Sequence, residues 1–204
     1  MTTAQLWPHH RADLERSGLT EETIRASRIV SGSEAAVREL LGFGVGPGMV
    51  LPYPGTKGPW HGEFAQVKPD APAVWNGKSA KYVSPKGSKN WLYIPPTLDP
   101  RVLTDSSIPL YITEGVKKVL KAVQEDLPTI GVLGVWSWRG KVDGRSVPIP
   151  DLDRIVWRGR HVFLVFDSDI AIKEQVRWAQ FRLGQELRQR VAVPFAVPLP
   201  GNGQ

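Results

Sequence analysis

Hydrophobic and polar positions change rhythm twice along the chain. Over the first forty residues they repeat with helical spacing. "LTEETIRASRI" offers Thr20 as an N-cap, and "SGSEAAVRELLGFG" offers Ser33 as a second cap with Gly42 as the stop. Leu14, Leu19, Ile24, Val37, Leu40 and Leu41 would form the shared apolar side of these helices. From Gly46 to Pro100, glycine and proline recur between short apolar segments such as "MVLPYPG", "GEFAQVKPD", "KYVSP" and "NWLYIPP". That texture predicts small strands joined by turns.

After "PPTLDPRVLTDSSIP" the pattern becomes regular. "PLYIT" reads as a strand, "EGVKKVLKAVQED" as a helix, "TIGVLGV" and "HVFLVFD" as strands, "AIKEQVRWAQFRLGQELRQR" as a long helix and "VAVPFAV" as a last strand. Nearly continuous apolar strands alternating with helices predict a parallel sheet covered by helices. In the long helix Val176, Ala179, Phe181, Leu183 and Leu187 are expected to face the core, with Lys173 and the arginines outward. The expected organisation is a smaller α+β subdomain over residues 1–104 and an α/β domain over 105–204.

Composition narrows the chemistry. The 204 residues include no cysteine, which excludes disulfides, a thiolate nucleophile and a cysteine-ligated zinc site. No apolar run approaches the roughly 20 residues that cross a bilayer, and the N-terminus lacks the layout of a secretory signal, so a cytoplasmic protein without a membrane partner is expected. A net charge of +6 suits a nucleic-acid partner held through its phosphates. The four histidines, His9, His10, His61 and His161, show no metal-ligand spacing and are read as structural.

Candidate chemistry lies where strands of the second half end. Glu114 closes the first of them, and Asp167 and Asp169 close the third. Ligands of open α/β sheets bind beyond the carboxyl ends of the strands. If those two strands are neighbours, three carboxylates meet at one edge, and their mutual repulsion is relieved by a divalent cation such as Mg²⁺ or Mn²⁺. In extended backbone, residues two apart project to one side, so Asp167 and Asp169 can serve the same ion while Ser168 points away. Either motif alone would also serve as a helix N-cap or a dipole partner.

A strand ending in Glu-Gly, a helix, and a later strand ending in Asp-x-Asp resembles the Toprim pattern of bacterial-type primases, topoisomerases and several nucleases. "LYITEGVKKVLKA" with "VFLVFDSD" is most similar to the Toprim-like domain attached to phage and plasmid replication primases. Upstream, "KSAKYVSPKGSKNWLY" is similar to the Lys-Tyr segment that precedes Toprim in primase cores. The resemblance implies a Rossmann-like α/β sheet and Mg²⁺-dependent nucleotidyl transfer on a single-stranded DNA template from nucleoside triphosphates, with a replicative helicase, fused or separate, as a further partner. It makes Glu114 the acid/base or metal-organising carboxylate and Asp167 and Asp169 the metal ligands. The cysteine-bearing zinc module of bacterial primases is not in this chain. At "VPLPGNGQ", where related proteins carry an acidic stretch, either the chain is a fragment or those carboxylates are missing.

Basic residues extend the expected site. Lys78, Lys81, Lys86 and Lys89, interleaved with Tyr82 and Trp91, suit a groove for single-stranded nucleic acid. Arg139 and Lys141 in "GVWSWRGKVDGR" follow a strand end and are expected to hold phosphates, with Trp136 and Trp138 as packing anchors. Lys117 and Lys118 add positive potential one turn after Glu114. Two other readings share these residues: a Toprim nuclease, with water as nucleophile, and a non-catalytic nucleic-acid-binding module.

Overall fold

A computed structural model describes residues 5–75, 77–166 and 174–199. The chain divides into two compact units, with the boundary after Lys89. The expected boundary lay at 104. The difference arises because Leu92, Tyr93 and Val102 are buried in the core of the second unit, or hydrogen-bonded into its sheet, before the regular α/β pattern begins.

The first unit opens with helices α1 (Pro8–Glu15) and α2 (Glu21–Ala26), then strand β1 (Val30–Gly32) and helix α3 (Glu34–Leu41). Both expected caps form: the Thr23 amide donates to Thr20 Oγ1 at 3.3 Å and the Ala36 amide to Ser33 Oγ at 3.3 Å. Gly42 ends α3 in the left-handed conformation, at φ 78°, which a side chain would resist. All six expected apolar positions, from Leu14 to Leu41, are buried. Strands β2 (Gly48–Gly58) and β3 (Gly62–Pro69) complete an antiparallel sheet in the order β1-β2-β3. A two-stranded hairpin follows, β4 (Ala73–Trp75) with β5 (Lys78–Ala80), and Val83 bridges to Val67.

In the second unit come strand β6 (Leu92–Tyr93), the short helix α4 (Arg101–Thr104), β7 (Leu110–Glu114), α5 (Val116–Gln124) and β8 (Thr129–Val132). A hairpin of β9 (Arg139–Val142) and β10 (Arg145–Pro148) and a 3-10 turn, Pro150–Arg154, lead to β11 (His161–Val165), α6 (Glu174–Gln189) and β12 (Val193–Ala196). The sheet has the order β12-β11-β7-β8-β6; the first four strands run parallel, and β6 pairs antiparallel with β8 at the edge. This is the expected α/β sheet flanked by helices, with an edge strand recruited from the segment assigned to the first subdomain.

Packing explains the helices. Val116, Val119 and Leu120 form the buried side of α5, and Gly131 in β8 leaves room for it, since a Cβ there would stand 2.7 Å from Val119 Cγ2. In α6 the buried stripe is Ala179, Gln180, Leu183, Gly184 and Leu187. Phe181, expected in the core, is 48% exposed, and Val176 is half-buried. The helical phase accounts for this: positions 179, 183 and 187 are spaced by four and centre the buried stripe, and Phe181, two residues beyond Ala179, falls well to one side of it. Gln180 takes a buried place because its Nε2 donates to the Leu164 carbonyl at 2.9 Å.

Candidate carboxylate site at the sheet edge

The two strands that carry the acidic motifs are adjacent. β7 and β11 pair in parallel, with Leu164 opposite Ile112 and Val165 opposite Thr113. Both therefore end on the same edge, with Glu114 one residue past the last pair on β7 and Phe166 its counterpart after β11. Asp167 and Asp169 lie outside the described residues. The sequence nevertheless places Asp167 next after Phe166, which is fully buried.

Local backbone holds Glu114 in place. It pairs with Val132 of β8, so β8 flanks it on the other side. Gly115 follows at φ 89°, a conformation that suits glycine, and turns the chain into α5 while its amide donates to the Val132 carbonyl at 3.2 Å. Glu114 is half-buried. Gly134 lies beside the carboxylate: a Cβ on it would stand 4.0 Å from Glu114 Oε1, in ordinary contact. A carboxylate at the carboxyl end of the central strand, next to the strand leading into Asp-Ser-Asp, is an oxygen donor suited to a hard divalent cation. On α5, Lys117 is half-buried and Lys118 exposed.

The remaining expected residues fall in separate places. Arg139 opens β9, where its Nη2 donates to the Ser146 carbonyl at 3.3 Å and its guanidinium lies 5.1 Å from the centre of the Trp138 ring. It lines a groove against α6 together with Phe181, Arg182 and Gln185. Lys141 is exposed on the same hairpin. Trp138 packs in the core as expected, whereas Trp136 is 36% exposed.

In the first unit, Lys78 belongs to β5, and Lys81, Lys86 and Lys89 are exposed. Tyr82 is half-buried, with Lys81 Nζ 6.0 Å from its ring centre. Burial, reinforced by the negative charge of Asp13, pushes the Tyr82 phenol up to about 12. A phenol that ionises near 10 in the unfolded chain then contributes stability that is complete below pH 10 and is lost as pH rises through 12. The Tyr82→Phe protein should accordingly show a shallower loss of stability between pH 10 and 12 in urea titrations than wild type, and an unchanged slope would refute the assignment.

One cluster was not legible from spacing. His10 is buried, with Nδ1 2.7 Å from Ser31 Oγ and Nε2 2.7 Å from Asp70 Oδ1, and His9 Nε2 lies 3.3 Å from Asp70 Oδ2. The partner of these two histidines, Asp70, is sixty residues away from His10 in sequence. His10 is fully satisfied by these two neighbours, and the trio fastens α1 to the strand end at Pro69.

Comparison with solved structures places this fold. The chain is similar to the Aquifex aeolicus primase, zinc-binding and RNA polymerase domains, at 14% identity and a TM-score of 0.64, covering 97% of this chain and 51% of that one. It is similar to the RNA polymerase domain of Mycobacterium tuberculosis primase DnaG at 12% identity and a TM-score of 0.60, covering 98% of this chain and 72% of that one. A DnaG catalytic core matches at 16% identity and a TM-score of 0.57, with 100% of this chain and 67% of that one covered. These are likenesses of fold, and the chain spans about half the length of the Aquifex aeolicus protein. No curated protein matches the chain. A family model described as a domain of unknown function matches residues 100–204, the whole carboxylate-bearing half. The chain thus belongs to the family called Domain of unknown function (DUF3854), here joined to an N-terminal unit and folded like a primase core.

Proposed function

We propose that this protein is the catalytic core of a primase-type nucleotidyltransferase that makes primers on single-stranded DNA during replication of a phage, plasmid or other mobile element. The observation that carries the reading is the parallel pairing of β7 with β11, which brings Glu114 to the same sheet edge as the strand leading into Asp167 and Asp169. The likeness of both halves together to primase cores supports it, since it covers nearly the whole chain.

In this reading Asp167, Asp169 and Glu114 would hold Mg²⁺ or Mn²⁺, which when bound neutralises phosphate charge and lowers the barrier to displacement of pyrophosphate. Glu114 acts as the acid/base or organising carboxylate at a position fixed by two neighbouring strands. Lys117 and Lys118, on the first turn of α5, raise the positive potential that draws in a nucleoside triphosphate. Lys78, Lys81, Lys86 and Lys89, with Tyr82, hold the template strand, and Arg139 and Lys141 contact phosphates. A replicative helicase, fused or separate, is the natural partner.

The test is incubation with single-stranded DNA, nucleoside triphosphates and Mg²⁺. Oligonucleotide products that depend on all three are expected. Metal-dependent cleavage of a labelled strand without nucleotides would instead establish the nuclease, and binding without either reaction would establish a module.

A further inference from the structure

The groove between the β9–β10 hairpin and α6 carries chemistry that the carboxylate edge does not use. It encloses about 590 Å³ and is walled on the hairpin side by Trp138, Arg139, Ser146 and Pro148. From α6 it receives Arg182, Gln185 and Arg188. Among the described residues the one carboxylate lining it, Glu186, is already engaged, because Arg190 Nε donates to it at 2.8 Å. The lining is therefore cationic, with Arg188 unpartnered among the described residues.

Two donors at its wall are unsatisfied. Trp138 is 3% exposed, and neither its Nε1 nor Arg139 Nε, both shielded from solvent, has a hydrogen-bond partner among the described residues. Shielded donors without acceptors are uncommon because each carries a desolvation cost. Arg139 is held by one long bond to a carbonyl and by its contact with the Trp138 ring, so a small movement of the guanidinium would present it to an incoming oxyanion.

Aromatic surface continues from the groove along the same helix. Trp178 and Phe181 are 54% and 48% exposed and stack at 5.4 Å with their planes 22° apart. Phe181 lines both the groove and a second depression bounded by Arg177 and Trp178, and the Arg182 guanidinium lies 6.0 Å from the Trp178 ring centre. Exposed aromatics on a helix fit either a protein or bases. Here Arg177 and Arg182 flank the rings, Glu174 and Gln175 share the second depression, and a surface with more arginines than carboxylates around exposed rings matches a strand that carries phosphates and unstacked bases.

We propose that the groove and the exposed face of α6 form a track for single-stranded nucleic acid, with a phosphate held between Arg139, Arg182 and Arg188 and bases stacked on Trp178 and Phe181. None of these residues belongs to the carboxylate edge. Binding here and turnover there can therefore fail independently.

The experiment is fluorescence anisotropy with a labelled oligothymidylate, in EDTA and without nucleotides, across a range of salt. Wild type should bind. The Arg182→Ala, Arg188→Ala variant should bind at least about tenfold more weakly, with a salt slope lower by about 1.4 for two lost contacts to a single strand. The Trp178→Ala, Phe181→Ala variant should weaken binding at least about fivefold with the slope unchanged. All four side chains are exposed, so the variants should melt like wild type, and Glu114→Gln should bind normally. Unchanged affinity and slope in both double variants would overturn the proposal, as would failure of the wild type to bind the strand or equal preference for duplex.

Discussion

Replacing Arg160 by alanine should lower the unfolding free energy by about 3–5 kcal/mol, the scale of leaving two buried carbonyls unsatisfied, at about 1–3 kcal/mol each, together with a cavity. Arg160 is completely buried immediately before β11. Its guanidinium donates to three carbonyls: Val156 at 2.8 Å through Nε, Val102 through Nη1, and Asp105 at 2.8 Å through Nη2. Those acceptors lie on α4, just after it, and on the approach to β11, so one side chain fixes where the strand starts relative to the preceding segment. Alanine would take the side-chain donor from the Val102 and Val156 carbonyls, while Asp105 keeps the Ile108 amide at 3.3 Å, and would leave a cavity where the side chain was. Arg160→Lys retains a charge but cannot make a three-way fork, and should recover only part of the loss. Urea unfolding followed by tryptophan fluorescence measures both. A cost below about 1 kcal/mol for the alanine variant would show that the fork contributes no more than an ordinary surface contact.

The second large effect is on turnover. Glu114→Gln, and separately the Asp167→Asn, Asp169→Asn pair, should each lower the rate of nucleotide incorporation by at least about a hundredfold, the scale of losing a general base or a charge-stabilising group. Glutamine keeps the size of Glu114 and leaves the pairing of Thr113 and Glu114 with Gly131 and Val132 of β8 intact, so folding should be unaffected. If Glu114 is the acid/base carboxylate proposed above, the loss should fall on kcat, with KM for nucleotide little changed in Glu114→Gln. A rise in KM alone would assign Glu114 to nucleotide binding.

Much of this architecture was legible in the sequence because it rests on local rules. Thr20 and Ser33 cap helices, Gly42 stops one, and the apolar runs of β7, β8 and β11 could be recognised without any partner. What escaped depends on neighbours distant in the chain. Nothing local marks Arg160 as buried, since its acceptors come from α4 and beyond, or Gln180, whose acceptor is the Leu164 carbonyl. Phe181 reads as core because it is aromatic, yet its angular position on α6 turns it outward. The recruitment of Leu92 and Tyr93 into the second sheet moved a boundary that composition alone had set at 104. For the carboxylates, the motifs were visible but their convergence was conditional on two strands being neighbours; β7 and β11 do pair in parallel, and the Asp-Ser-Asp segment itself lies outside the described residues.

The central claim is that this sheet edge holds a divalent metal, and Mn²⁺ binding followed by electron paramagnetic resonance tests it most directly. Wild-type protein should take up Mn²⁺ saturably, with Mg²⁺ competing, and the Asp167→Asn, Asp169→Asn protein should lose that binding while unfolding at the same urea concentration as wild type. Equal Mn²⁺ binding by the two proteins would contradict the account.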